Sequence, residues 1–287
     1  MLTQLGILVL RLFSHLPLKI LYLFSDLLFL VLYHGVKYRR RVVDENLRLA
    51  FPDKDDAERK QIARQYFSYL CDLILESVKM ISISKKEVME RFRFVNPELL
   101  DEYFSQNKSV IAAAGHYGNW EMASNIGLVT DKKILVVYKP LTDPIFEEFL
   151  KKVRSRFNAK LIRMKTSFRD ILSHRKESTV SIIVSDQTPV PGDSVCITTF
   201  LNQPTAVFMG IENLAKAYNY PVLFCDVKVL KRGYYTCTFV PLIDDPKSRV
   251  EKEITETHVK HLEKMIHAEP QYWIWSHKRW KYSISDY

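Results

Sequence analysis

Short apolar runs that end at turn residues recur along this chain, with amphipathic stretches between them. Val110–Ala114 is one such run, closed by Gly115. Ile134–Tyr138, Lys160–Arg163, Val180–Ser185 and Val222–Leu230 repeat the form. Runs of this length between turn signals predict strands. Pro97–Gln106, Pro144–Phe157, Phe168–Ser173, Val207–Tyr218 and Val250–Ala268 read as helices. Earlier in the chain, Asp44–Ala50 reads as helical up to Phe51-Pro52. Asp55–Met80 predicts a long helix on which Ile62, Tyr66, Tyr69, Leu70, Leu73 and Ile74 recur at helical spacing, with Asp55 as its cap. Val88–Phe94 predicts a short strand, and Tyr234–Val240 a hairpin partner for Val222–Leu230 around Gly233. Repeated β–α alternation predicts an α/β domain with a mostly parallel central sheet flanked by helices.

The N-terminal pattern differs. Leu16–Val36 is long enough to span a bilayer, but Lys19, Asp26 and His34 interrupt it. An Asp near the centre of a span costs roughly 3 kcal/mol, against about −0.3 to −0.6 for each Leu, Ile, Phe or Val. Lys19, Tyr22, Asp26 and Tyr33 share one stripe, which suits a helix lying at an interface or packed on the rest of the protein. Lys37, Arg39, Arg40 and Arg41 follow the apolar part, the reverse of a secretory signal. Basic residues after an anchor favour a cytoplasmic main body. Residues 1–41 are therefore expected to form a membrane-associating segment, and residues 42–287 the functional domain.

Composition narrows the partners. The net charge of +9 implies an acidic one. No zinc-finger spacing, basic zipper or RNA-binding aromatic signature is present, so a membrane or an acidic carrier fits better than nucleic acid. Cys71, Cys196, Cys225 and Cys237 form no CxxC pair and read as small buried hydrophobes, with Cys225 and Cys237 facing each other on the hairpin.

The candidate chemistry begins where the first strand stops, at Gly115-His-Tyr-Gly-Asn-Trp-Glu121. His116 lies at the carboxyl end of a strand, where open α/β sheets place ligands. Gly115 and Gly118 permit a tight turn, and Asn119 can cap a helix from Trp120 to about Leu128. With His116 in the turn and Glu121 on the first helical turn, carboxylate and imidazole can meet, leaving the other ring nitrogen as a general base. The plain structural alternative is a polar end-cap beside a first-turn acid. No serine or cysteine is placed as a nucleophile, so the substrate is expected to bring its own hydroxyl or amine. Asp186 and Gln187 end a second apolar strand and fall at the same sheet edge. Lys139 and Arg163 follow or end neighbouring strands and can bind phosphate or carboxylate groups, with solvated surface charges as the alternative. Thr198–Gly210 reads as a loop walling a groove for an apolar chain. Gln271–Lys281, dense in tryptophan and cations, has the composition of a membrane interface, with internal cation–π packing as the alternative. A non-catalytic membrane-binding module, and a metal-dependent hydrolase using His116, Glu121 and Asp186, remain open.

Four blocks together resemble the bacterial lipid A biosynthesis acyltransferases, the lauroyl/myristoyl transferase family within the lysophospholipid acyltransferase group. They are His116-Tyr-Gly-Asn-Trp-Glu121, Ser185-Asp-Gln-Thr-Pro189, Phe200–Gly210 and Trp273–Lys281. Tyr38–Pro52 is similar to that family's opening. The resemblance implies a glycerolipid-acyltransferase-like fold at the cytoplasmic face of a bacterial inner membrane. It implies acyl carrier protein as thioester donor, a lipid A precursor or another membrane lipid as acceptor, and no metal or cofactor. On this resemblance His116 becomes the base, Glu121 its partner and Arg163 a substrate-binding residue; Lys139, Asp186, Gln187 and Asn119 are the further substrate-binding candidates. The backbone amides near Gly118 and Asn119 are the oxyanion candidates. The Phe-Leu-Asn-Gln-Pro block and Met209-Gly210 depart from the pattern of relatives, at positions that bear on chain length and acceptor.

Overall fold

The computed structural model of the chain describes residues 2–287. Helices α1 (Leu2–Ser14) and α2 (Leu18–Phe29) open it, and α2 runs on into a π-helical turn over Leu30–Gly35. α3 (Arg40–Ala50) and α4 (Asp56–Lys79) follow. The Asp55 carboxylate accepts from the Glu58 N–H while Glu58 reaches back to the Asp55 N–H, a reciprocal cap that fixes where α4 starts. The strand expected over Val88–Phe94 is mostly helix. α5 covers Lys85–Arg91 and β1 only Phe92–Phe94, because Ser84 caps the Glu87 N–H and starts a helical turn ahead of the apolar run.

Next come α6 (Glu98–Ser105), β2 (Val110–Ala114), β3 (Lys133–Tyr138), α7 (Pro144–Arg154), β4 (Ala159–Arg163), α8 (Ser167–Leu172) and β5 (Thr179–Val184). A separate antiparallel hairpin of β6 (Val195–Phe200) and β7 (Gln203–Phe208) precedes α9 (Gly210–Tyr218). The expected loop over Thr198–Gly210 is thus a hairpin, and the helix expected from Val207 begins at Gly210. β8 (Val222–Lys231), β9 (Tyr234–Ile243) and α10 (Glu253–Ala268) complete the core.

Seven strands form one sheet in the order β1-β9-β8-β2-β5-β3-β4. Only the β8–β9 hairpin is antiparallel. β2 lies between β8 and β5, and Val110 through Ala113 are fully buried, as a strand covered on both faces requires. All four cysteines are free and buried. Cys225 pairs with Phe239 and Cys237 with Val227, so the two thiols sit diagonally rather than opposite each other.

The N-terminal helices lie against α4. Leu18 and Leu21 pack on Leu75, and Ser25 Oγ donates to Asp72 at 2.6 Å. The Asp26 carboxylate is bound by Arg232 from the β8–β9 turn, which also binds Asp72. The opposite faces of α1 and α2 leave Leu5, Leu8, Val9, Leu12, Leu23 and Leu27 exposed.

Candidate active site

The parallel register of the two central strands builds the site. Ala114 on β2 lies opposite Val184 on β5. Two residues further on, His116 and Asp186 leave neighbouring strands at the same height. The Asp186 carboxylate accepts the His116 backbone N–H at 2.7 Å and meets His116 Nδ1 at 2.6 Å. Because a carboxylate only accepts, Nδ1 carries the ring proton and Nε2 is left as the acceptor. Gln187 places its amide nitrogen 3.3 Å from that Nε2, and the Trp120 indole meets the imidazole edge to face at 5.0 Å between ring centres.

Two glycines allow this approach. A Cβ on Gly115 would lie 2.6 Å from Leu262 Cδ1 and 3.3 Å from the Asp186 carboxylate. Gly118 has φ +61°, and a Cβ there would lie 2.5 Å from Val227 Cγ1. Either substitution would push the turn off β8 or α10.

Asp186 is almost wholly buried, with 3% of its side chain exposed, against 19% for His116. Burial alone would favour the neutral acid. The imidazole beside it, the His116 hydrogen bonds and the Trp273 indole N–H at 2.8 Å outweigh that and hold the carboxyl down at about 2. Asp186 is therefore an anion facing the imidazole.

The expected partnership of His116 with Glu121 is not the one formed. Both Glu121 oxygens are taken by Arg154 at the end of α7, one at 2.9 Å from Nε and the other by Nη2. The four-residue spacing brings Glu121 to the turn, but the guanidinium forms a bidentate pair with it, the geometry in which Arg binds carboxylate best. Asn119 is fully buried, and its Oδ1 accepts the Met122 N–H at 2.9 Å, the capping contact that its position predicts. The element that follows is a 3-10 helix, Met122–Leu128. Asn119 Nδ2 donates to Glu76 at 2.6 Å.

Of the oxyanion candidates, the Gly118 N–H is committed to Tyr272 O at 3.1 Å, whereas the Asn119 N–H has no partner among the described residues. Lys139 and Arg163 are exposed. Arg163 ends β4, three strands from β2, which is roughly 14 Å at ordinary strand spacing.

The tryptophan-rich tail forms part of the core and not a surface belt. Trp273 and Trp275 are fully buried. Tyr117 bridges Trp273 in antiparallel fashion, and Ser276 is bonded to Tyr66 on α4. His277 Nε2 accepts the Thr188 N–H at 3.0 Å, and burial pushes its imidazole down to about 4, so it is neutral near pH 7. Among the described residues no cluster of three His, Cys, Asp or Glu is arranged to hold a metal ion.

Residues 1–282 match the family described as bacterial lipid A biosynthesis acyltransferase. The chain is 22% identical over 277 residues to the lipid A biosynthesis acyltransferase of Haemophilus influenzae, covering 94% of this chain and 85% of the relative. It is 23% identical over 287 residues to the lipid A biosynthesis lauroyltransferase of Escherichia coli, covering 98% and 91%. A third match, lipid A biosynthesis acyltransferase 2 of Shigella flexneri, is 22% identical over 242 residues, covering 83% and 76%.

Proposed function

We propose, since this chain belongs to the bacterial lipid A biosynthesis acyltransferase family, that its acyl transfer runs from an acyl thioester on acyl carrier protein to a hydroxyl of a lipid A precursor. The observation that carries the reading is the 2.6 Å contact of His116 Nδ1 with Asp186, which leaves Nε2 as a base. Nε2 takes the acceptor hydroxyl proton as the oxygen attacks the thioester carbonyl. The tetrahedral intermediate then collapses, the carbon–sulfur bond breaks, and the leaving thiolate takes the proton back from the imidazolium. A positioned base supplies about 10²–10⁴-fold, and orientation and oxyanion donors supply the rest. The unpaired Asn119 N–H is the oxyanion candidate. Glu121 acts in this scheme by fixing Arg154 beside the turn.

The acceptor side is supported by a cavity of about 700 Å³ whose lining includes Phe29, Arg64, Gln65, Arg232, Gln271 and Tyr272. Val227 touches the site turn and Val229, two residues along β8, lines this cavity. The cavity therefore begins roughly 7 Å along the same sheet face. Its size and mixed lining suit a lipid headgroup. The donor side is supported by the net charge of +9, which steers an acidic carrier protein.

The exposed apolar face of α1 and α2 supports attachment to a membrane surface. Leu18–Gly35 has the length and composition to cross a bilayer. However, Tyr22, Ser25 and Asp26 are bonded to Glu76, Asp72 and Arg232 of the body, which favours helices lying in the interface over a span. The cytoplasmic face of the inner membrane is the compartment that fits a carrier-protein donor.

Incubating the purified enzyme with acyl carrier proteins of several chain lengths and a lipid A precursor tests this, with mass spectrometry reading the acceptor. The parent enzyme adds one acyl mass, and His116→Ala loses turnover by at least about 10²-fold while still binding vesicles. An unchanged rate in His116→Ala would sink the base assignment. Acylation of a different lipid from a membrane extract would reassign the acceptor.

A further inference from the structure

A small void lies against the Asp186 carboxylate. About 10 Å³ of it is open to the centre of a water molecule, and its walls include Ser185, Asp186, Phe200, His258, Leu262 and Arg279. Two buried polar atoms on these walls have no hydrogen-bond partner: Arg279 Nε and His258 Nε2. Arg279 is 2% exposed. Its Nη2 donates to Ala206 O at 2.7 Å, yet it makes no salt bridge among the described residues. A cation so placed is costly unless something nearby answers its charge. The anion available across the void is Asp186.

The hydrogen-bond count of that carboxylate leaves one position open. Oδ2 accepts the His116 N–H and the Trp273 indole N–H, and Oδ1 meets His116 Nδ1. A carboxylate offers about four lone-pair sites, so one on Oδ1 is unused. Burial lowers Arg279 only to about 10, so it stays charged near pH 7; burial lowers His258 to about 4, so it is neutral there and its Nε2 can accept.

We propose that Arg279 is a positioning residue for acyl transfer, acting through one water held between its Nε and His258 Nε2. The water accepts the Arg279 Nε–H and donates to Asp186 Oδ1 and to His258 Nε2. That arrangement satisfies both orphaned nitrogens and the last site on the carboxylate, and gives the water three partners, the usual number for a buried one. Functionally, the buried cation holds Asp186 ionised and opposes a second positive charge on His116. The charged and titratable groups facing Asp186 are His116 from the β2 turn, His258 from α10, and His277 and Arg279 from the tail. Glu212 on α9 acts on His258, and Tyr287 on Arg279.

This inference rests on His116 being the base. Arg279→Gln keeps a polar amide but drops the charge, whereas Arg279→Lys keeps the charge. With full-length protein, kcat/KM is followed against pH. In Arg279→Gln the acid limb moves up by about one pH unit, giving about tenfold less activity below the midpoint with the alkaline plateau retained. Arg279→Lys keeps the parent midpoint. A loss in Arg279→Gln that is equal at every pH, with the midpoint unmoved, means that Arg279 only packs, and overturns the proposal. A high-resolution crystal structure of the unaltered enzyme requires no variant to fold. It should show one water within about 3.2 Å of both Arg279 Nε and His258 Nε2, and a dry void refutes the bridge. The water is visible whatever the base is, and turnover by His116→Ala would remove the base assignment alone, so the two failures are distinguishable.

Discussion

Asp186 and Glu76 are both buried carboxylates tied to the turn that carries His116, yet their carboxyls are pushed in opposite directions. Asp186 faces an imidazole, an indole N–H and a backbone N–H, and its carboxyl is held down at about 2. Glu76, in the last turn of α4, accepts from the hydroxyls of Tyr22 and Tyr235, both at 2.7 Å, and from Asn119 at 2.6 Å. All three partners are neutral. Burial wins over their hydrogen bonds and pushes Glu76 up to about 6. Depth alone therefore does not decide whether a carboxylate can serve a base. What decides it is whether a group able to take up positive charge faces it. Asp186 is built to stay charged beside a proton-accepting ring, and Glu76 is built to join three elements.

Replacing each acid by its amide puts this contrast under the greatest stress. In Asp186→Asn the amide oxygen stays with the two N–H donors that bind Oδ2, so the NH₂ faces His116 Nδ1 and the ring turns to the tautomer whose Nε2 carries a proton. Turnover should fall by about 10³–10⁴-fold with the fold intact, as measured by steady-state acyl transfer and thermal melting. Glu76→Gln should leave turnover close to the parent, since the Tyr22 hydroxyl can accept from the new NH₂. Equal loss in the two amides would erase the distinction. Glu76→Ala leaves three buried polar groups without a partner and should cost about 3–5 kcal/mol in urea unfolding.

The smallest effect sets the sign. Because the folded-state value for Glu76 lies above the usual 4.5, the folded protein binds that proton more tightly than the unfolded chain. Its contribution to stability is greatest below pH 4.5 and falls by about 2 kcal/mol as pH rises through 6. Asp186, depressed from 3.8 to about 2, acts in the other sense: its contribution is present above pH 4 and is lost as pH falls through 2. Urea midpoints of the parent and Glu76→Gln, compared between pH 4.5 and 7, should diverge in that window. A constant offset would contradict the assignment.

Much of this architecture was legible in the sequence. The strands that the main sheet takes from beyond residue 100 read as apolar runs, and Asp55 marked the start of α4. What local spacing could not supply was adjacency. Glu121 is near His116 in the chain, but Asp186, seventy residues further on, sits beside it because β2 and β5 are parallel neighbours in register. The β6–β7 hairpin was hidden because its turn puts Leu201 and Asn202 at φ 49° and 63°. A leucine in left-handed backbone is not a turn signal. Its side chain is fully buried, and that packing fixes the conformation. The Trp273–Lys281 block illustrates the limit of composition. An indole N–H needs a polar partner whether it meets a headgroup or a buried carboxylate, and only the fold shows that Trp273 has the carboxylate.

The hold of Glu76 on Tyr22 and Asn119 together has a mechanical consequence. A helix with leucines turned outward and the bend that presents the imidazole are fastened to one pair of oxygens, so neither can tilt without dragging the other. With the attachment to a lipid surface proposed above, an enzyme fastened in this way would work at a set height over it. Lifting α2 away from the body would unseat the bend bearing His116, leaving the protein idle until the helix is back in place.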